Sequence, residues 1–258
     1  MKNVRPKKHL GQHFLIDEAI AKKIGETLIH SRKYKGILEV GPGMGVMTKY
    51  TSSKYPDHDL RLIELDKESV VYLGLHFPLI KVYNVDFLKL DFSDVFDHEF
   101  AVIGNYPYNI SSQIVFKVIE NRHLIPEMSG MFQKEVAERI CSKHGSKVYG
   151  ILSVLVQFYY EANYLFTVDE NVFNPPPKVK SGVLSLNRLD NSLIEGVPYS
   201  FAKAVVKSAF NQRRKTLRNS LKSFIKNKDQ EWLNLRPEQL SIEDFAEKVK
   251  YLYGQVND

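Results

Sequence analysis

Short apolar runs and longer stretches of helical spacing alternate through the first half of the chain. Runs at residues 36–40, 60–64, 80–83, 100–104 and 129–133 predict strands. Strands alternating with helices at this interval predict parallel pairing and a doubly wound α/β sheet. Ahead of them, residues 17–30 predict an amphipathic helix, with Asp17 as N-cap and Ile20, Ile24 and Leu28 on one face. Further on, a helix is expected around residues 149–160 and two more strands near 164–168 and 182–187. Residues 190–198 are rich in turn formers and predict a linker. Beyond them, residues 199–253 show helical periodicity and no strand pattern. The expected architecture is a mostly parallel, Rossmann-like α/β domain over residues 1–195 and a small all-helical domain over 196–258.

Composition narrows the class. A chain of 258 residues with 43% apolar and 12% aromatic residues can bury one sizeable core and a smaller one. No apolar run reaches the roughly 18 residues of a membrane span. The longest, 151–160, is broken by Ser153 and Gln157. The basic start of the chain leads into no hydrophobic region, so a secretory signal is not expected, and Asp17 and Glu18 argue against a transit peptide. The single cysteine, Cys141, cannot close an internal disulfide and reads as an inert thiol in a helix. A cytoplasmic monomer with no membrane partner is expected.

The distribution of charge says more than the net +6. Residues 1–9 carry four bases and no acid, residues 199–258 carry 12 bases against 7 acids, and the stretch between is net acidic. From Lys203 to Lys228 there are nine bases and no acid, which favours a polyanionic partner over a merely solvated face. Lys203 and Lys207 are spaced i,i+4, as are Arg214, Arg218 and Lys222. Val206, Phe210, Leu217, Leu221 and Phe224 supply an apolar stripe beside them.

Two segments carry candidate chemistry. Glu39-Val40-Gly41-Pro42-Gly43-Met44-Gly45 ends the first strand, and its glycines allow a sharp turn and close approach to a ligand. A dinucleotide fingerprint would need glycine where Val46 stands. An acid at Glu39 suits a ligand bearing an ammonium better than a pyrophosphate, and S-adenosylmethionine is such a ligand. Glu64, at the end of the second strand, can accept both ribose hydroxyls, a feature NAD enzymes share. Asp86, after the third, can accept from an adenine amine, with Phe87 packing on the ring. Their placement at successive strand ends marks the crevice of an open parallel sheet.

The second segment is Gly104-Asn105-Tyr106-Pro107-Tyr108-Asn109, the Asn-x-Pro-aromatic form of a site that methylates the exocyclic amine of adenine. That amine is a poor nucleophile because its lone pair is delocalised into the purine. Acceptors out of the ring plane, the Asn105 side-chain oxygen and the main-chain carbonyl of residue 106, would localise it. Pro107 fixes its own φ and biases Tyr106 towards an extended conformation. Tyr108 offers a flat face for an unstacked base.

With these motifs go Lys7-Lys8-His9-Leu10-Gly11-Gln12-His13-Phe14-Leu15, Gln133–Arg139, Phe173-Asn174-Pro175-Pro176-Pro177-Lys178-Val179-Lys180-Ser181 and Phe210–Asn219. In this order and spacing the chain resembles, over nearly its whole length, the small-subunit ribosomal RNA adenine dimethyltransferases (KsgA-like). The resemblance implies a methyltransferase domain with a basic N-terminal arm and a helical rRNA-binding domain. It implies that the Gln12–Leu15 segment closes over S-adenosylmethionine, with His13, Leu15, Glu39, Gly41, Gly43, Glu64, Asp86, Phe87 and Asn105 around the cofactor. It also implies that Tyr108 and Phe173 sandwich the flipped adenine. Lys203, Lys207, Arg213, Arg214, Lys215, Arg218 and Lys222 are expected to meet small-subunit rRNA within a pre-ribosomal particle.

Two departures stand out: Tyr106 replaces the family's more usual leucine, and His13 stands where asparagine is common. No other His or Cys has metal-ligand spacing with His13, so no metal is expected. The expected reaction is dimethylation of adjacent adenines near the 3′ end of small-subunit rRNA by direct displacement. The alternatives are a large-subunit rRNA dimethyltransferase of the macrolide-resistance type and a ribosome-assembly factor acting mainly by binding.

Overall fold

The computed structural model describes residues 4–7 and 10–257, so Lys8 and His9 of the basic arm lie outside the described residues. In chain order the elements are β1 (Phe14–Leu15), α1 (Glu18–Gly25), β2 (Gly36–Val40), α2 (Thr48–Lys54), β3 (Asp59–Ile63), α3 (Lys67–His76), β4 (Lys81–Tyr83), β5 (Phe100–Asn105), α4 (Ser111–Glu120), β6 (Glu127–Gln133) and α5 (Lys134–Ile140). They continue with α6 (Ile151–Gln157), β7 (Tyr160–Val168), β8 (Phe173–Asn174), β9 (Ser181–Arg188), α7 (Tyr199–Asn211), α8 (Leu217–Ser220) and α9 (Ile242–Asn257).

The chain forms two compact units, residues 1–137 with 163–188, and residues 138–162 with 189–258. The first is built on a seven-stranded sheet in the order β4-β3-β2-β5-β6-β9-β7. Neighbours from β4 to β6 pair in parallel, and β9 runs antiparallel to β6. Every residue of β2 is buried, as are the first five of β5. Strands covered on both faces need near-continuous apolar runs, which Ile37-Leu38 and Phe100–Ile103 supply. A separate two-stranded sheet pairs β1 with β8, Leu15 opposite Phe173. The expected doubly wound, mostly parallel sheet with a helical C-terminal region is what the fold shows.

Element ends differ where side chains take over backbone hydrogen bonds. Asp17 caps α1 through the Ile20 N–H, as its sequence position implies, but the helix stops at Gly25 rather than residue 30. The Thr27 hydroxyl donates to the Ile24 carbonyl, and the buried Glu127 carboxylate accepts from the Ile29 and His30 N–H groups and the Tyr34 hydroxyl. Those bonds satisfy the segment without a helix. The second strand is Asp59–Ile63, which leaves Glu64 just beyond the ladder. The helix expected around 149–160 is Ile151–Gln157, because Tyr160 already belongs to β7.

The second unit is helical. α6, α7 and α9 pack together around Val154, Val205, Phe210, Phe245 and Val249, with the Phe210 and Phe245 rings stacked 5.8 Å apart. The apolar face of α6 draws residues 138–162 into this unit, so the division does not follow one cut near residue 195. No helix among the described residues is long and apolar enough to cross a membrane.

Candidate active site

A cavity of about 330 Å³ opens beyond the C-terminal ends of β2, β3, β4 and β5. That is where open parallel sheets bind ligands, and the volume is that of a small-molecule site. Its lining brings together His13, Leu15, Glu39, Gly41, Gly43, Glu64, Asp86, Phe87, Asn105, Tyr106, Pro107 and Tyr108. Phe173 is not part of it.

The glycine loop and the acids are mutually fixed. Gly41 and Gly43 have φ of +68° and +57°, where a side chain would be strained, and a Cβ on Gly43 would lie 3.0 Å from the Phe14 ring. The Glu64 carboxylate accepts from the Gly43 N–H at 3.0 Å and the Asp66 N–H at 2.9 Å. Burial nevertheless raises its pKa, against the lowering pull of those bonds. Asp86 accepts from the Leu88 N–H at 2.9 Å, which curls the loop after β4 and sets Phe87 into the wall. Asp66 caps α3 and is ion-paired to Lys7, tying the arm before β1 to this rim.

Glu39 is the least satisfied group. It is 0% exposed, and neither carboxylate oxygen has a hydrogen-bond partner among the described residues, nor does the neighbouring Thr48 hydroxyl. Burial pushes its carboxyl up to about 8, with Thr48 pulling down and Glu64 adding a smaller upward push. A buried carboxylate facing a cavity without a partner is strongly disfavoured unless a cation or a proton joins it.

The turn after β5 is anchored on both sides. Asn105 Nδ2 donates to the His13 carbonyl at 3.3 Å, which commits the amide nitrogen and leaves Oδ1 as acceptor. Tyr106 is 1% exposed, and its ring packs on Phe132 with centres 4.7 Å apart. The N–H donates to the Met131 carbonyl at 3.0 Å and the hydroxyl to the Ser129 carbonyl at 2.7 Å. Gly104 and Gly130 make the slot for its ring. A Cβ on Gly130 would sit 2.1 Å from the Gly104 carbonyl and 2.6 Å from the ring. The tyrosine in place of leucine is thus absorbed by the sheet. Tyr108 bonds the Ser181 hydroxyl, and its ring is stacked with His13 at 5.7 Å. The His13 Nδ1 donates to the Pro175 carbonyl at 2.8 Å.

The expected sandwich of Tyr108 and Phe173 is not formed in this arrangement. Pairing of β8 with β1 turns Phe173, 2% exposed, into the apolar core beside Leu15 and Val168. His13, not Phe173, stacks with Tyr108.

Sequence reasoning missed Lys117. From α4 its ammonium donates to the Leu88 carbonyl at 3.0 Å and to the Leu90 carbonyl, and lies 5.7 Å and 5.1 Å from the Phe87 and Phe92 ring centres. Burial lowers its pKa, with Asp86 and Asp91 opposing. It therefore pins the Asp86–Phe87 loop from below. Nothing in the spacing of a lysine on a helix points to a loop so far upstream.

The basic residues of the second unit divide. Lys207, Arg214, Lys215 and Lys222 are exposed, whereas Lys203 is half-buried over the Tyr199 ring. Arg213 and Arg218 do not stand free as expected. The Arg213 guanidinium donates to the Ser146 and Lys147 carbonyls, and that of Arg218 to the Lys228 carbonyl and the Asn234 side chain. A planar fork suits several carbonyls at once, which draws these two inward.

A family model described as ribosomal RNA adenine dimethylase matches residues 3–253. A protein named ribosomal RNA small subunit methyltransferase A, from Flavobacterium johnsoniae, is 58% identical over 252 residues, 95% of each chain. Among solved structures, a dimethyladenosine transferase from Plasmodium falciparum superposes with a TM-score of 0.76 at 24% identity, over 95% of this chain and 98% of that one. The 23S rRNA methyltransferase ErmE superposes with a TM-score of 0.63 at 26% identity, over 92% of this chain and 99% of that one.

Proposed function

The chain belongs to the ribosomal RNA adenine dimethylase family, and from that premise we propose that it dimethylates two adjacent adenines near the 3′ end of small-subunit rRNA, in the cytoplasm and as a monomer. Dependence on S-adenosylmethionine and transfer to rRNA adenine follow from the family. The choice of the small subunit is supported by the name of the Flavobacterium johnsoniae relative at 58% identity, against 26% for ErmE.

The observation that carries the chemistry is the Asn105 amide, fixed on the His13 carbonyl with its oxygen left to accept, in the same cavity as the unpaired Glu39. These residues fit S-adenosylmethionine. Glu39 is a buried carboxylate waiting for a cation and would hold the ammonium. Glu64 keeps lone pairs for ribose hydroxyls after accepting from Gly43 and Asp66. Asp86 would accept from the adenine amine, with Phe87 and Lys117 shaping that wall. When bound, the cofactor supplies an electrophilic methyl group on a sulfonium.

On the target side, Asn105 Oδ1 and the carbonyl of residue 106 accept the two N–H groups of the adenine amine and localise its lone pair. Both bonds strengthen as the amine becomes tetrahedral and cationic, so they favour the transition state over the ground state. Holding the amine in one orientation against a cofactor bound in the cavity would supply much of the remaining acceleration. Tyr108 gives the base a stacking face once it displaces His13 from it. The exposed bases of the second unit engage rRNA phosphates.

The test is mass spectrometry of rRNA after unmethylated small subunits are incubated with the protein and S-adenosylmethionine. Two adjacent dimethyladenosines near the 3′ end are expected. Modification of large-subunit rRNA instead would overturn the choice of subunit, and no dimethyladenosine in either would leave a binding factor.

A further inference from the structure

The second unit has a loop, residues 141–150, between α5 and α6, that the C-terminal charge run does not include. Lys143, His144, Lys147 and Val148 in it are exposed. Loops that project cations without support are mobile, and ordering them on a partner costs conformational entropy. This one is held from two sides and by a bond of its own. The Gly145 N–H donates to the Glu238 carbonyl at 2.7 Å, the Tyr149 N–H to the Ser146 hydroxyl at 3.1 Å, and Arg213 grips the Ser146 and Lys147 carbonyls. Tyr149 is itself buried, its ring edge-on to Phe210 at 5.8 Å.

Arg213 does a second thing. Its Nε lies 3.7 Å from Glu238, so the nearby acid is neutralised behind the loop rather than displayed beside it. Arg214 and Lys215 follow directly in the chain and are exposed. Among the described residues, none of Lys143, Lys147, Arg214 and Lys215 has an ion pair. Two segments far apart in sequence thus share a bracket and present free cations.

We infer that the loop carrying Lys143 and Lys147 is a second rRNA-phosphate contact, fixed beside Arg214 and Lys215 by Arg213, which is a bracket and not itself a contact. This rests on the reading of the protein as a small-subunit rRNA enzyme. A pre-ordered pair of cations suits a rigid polyanion, because the loop loses little freedom when a phosphate arrives. Each phosphate neutralised adds somewhat under one unit to the slope of log K against log salt.

The test measures binding of unmethylated small subunits across salt concentrations for the parent, the Lys143→Gln/Lys147→Gln double variant, the corresponding double arginine variant, and Arg213→Ala. The glutamine pair should lower the slope by about one to two units, and the arginine pair should keep it. Arg213→Ala should weaken binding and raise amide hydrogen exchange at Gly145 to Tyr149, whereas the glutamine pair should leave that exchange unchanged. S-adenosylmethionine affinity should be the same in all four proteins. If the parent binds with a salt slope and the glutamine pair matches it, the inference is wrong and the small-subunit reading stands. If the parent shows no salt-dependent binding, the reading falls and takes the inference with it. Unchanged loop exchange in Arg213→Ala would overturn the bracket.

Discussion

The cavity at the strand ends and the basic surface of the second unit use charge in opposite ways. In the cavity, carboxylates are buried and individually placed. Glu64 is held by two main-chain donors, and Glu39 is desolvated with only the Thr48 hydroxyl nearby and no ion pair among the described residues. On the surface the cations are exposed and several are unpaired, so what they share is sign and proximity rather than geometry. A small cationic ligand can be specified by a few fixed partners. A large polyanion is met by an averaged field, where the loss of one charge changes affinity and salt dependence but not register. Mutations should therefore have large effects specific to each residue in the first region and small, summed effects in the second.

The largest effect is expected at Asn105. Asn105→Ala should lower single-turnover methyl transfer by two or more orders of magnitude while S-adenosylmethionine binds within about tenfold of the parent. Near-normal transfer would break the account of the turn. Phe173→Ala comes next. Because the ring is core and not platform, the substitution should cost about 3–5 kcal/mol of folding stability by denaturant titration. A loss confined to base capture, with stability intact, would restore Phe173 as a stacking partner. Glu64→Ala should weaken S-adenosylmethionine binding by roughly 1.5–3 kcal/mol, read by calorimetry, since charge-assisted bonds are lost.

Glu39 gives the comparison a pH dependence. Its folded pKa, about 8, lies above that of an unfolded glutamate. The folded protein therefore holds a proton that the unfolded chain has released, and the stability of the ligand-free protein should fall as pH rises from the ordinary carboxylate range through about 8. Cofactor affinity should rise with pH up to about 8, by up to one log unit per pH unit, because the complex favours the charged form. Glu39→Gln should flatten both trends. Parallel trends in parent and variant would mean another group titrates. A smaller effect is expected from Lys117→Met, a several-fold loss of cofactor affinity as the Asp86 loop slackens, with little change in transfer at saturating cofactor. Smallest per residue are the surface charges. Lys207→Gln, Arg214→Gln and Lys222→Gln together should each remove somewhat under one unit of salt slope.

What the sequence made legible follows the same divide. Glu39, the glycine loop, Glu64, Asp86 and Asn105–Tyr108 were all visible, because each sits at the end of an apolar run and strand ends converge in a parallel sheet. The one-residue shift at Glu64 did not matter, since the acid still falls just beyond its strand. Charge on the surface was legible only as a sum. Nothing in a run of nine bases distinguishes Arg213 and Arg218, turned onto carbonyls, from Lys207 and Arg214, left in solvent. Lys143 and Lys147 lay outside the run altogether, and Phe173 was hidden because a two-residue strand leaves no periodicity to read. The helix expected to residue 30 ended early for a similar reason, since the Glu127 carboxylate that takes over its backbone donors lies far along the chain.

The separation of chemistry from RNA binding is tested most directly by the salt dependence of small-subunit binding in the Asn105→Ala variant. The account predicts a protein that has lost methyl transfer yet binds unmethylated particles with the parent's slope. A slope or affinity that collapses together with transfer would contradict it, because the turn in the cavity would then be part of the rRNA-binding surface itself.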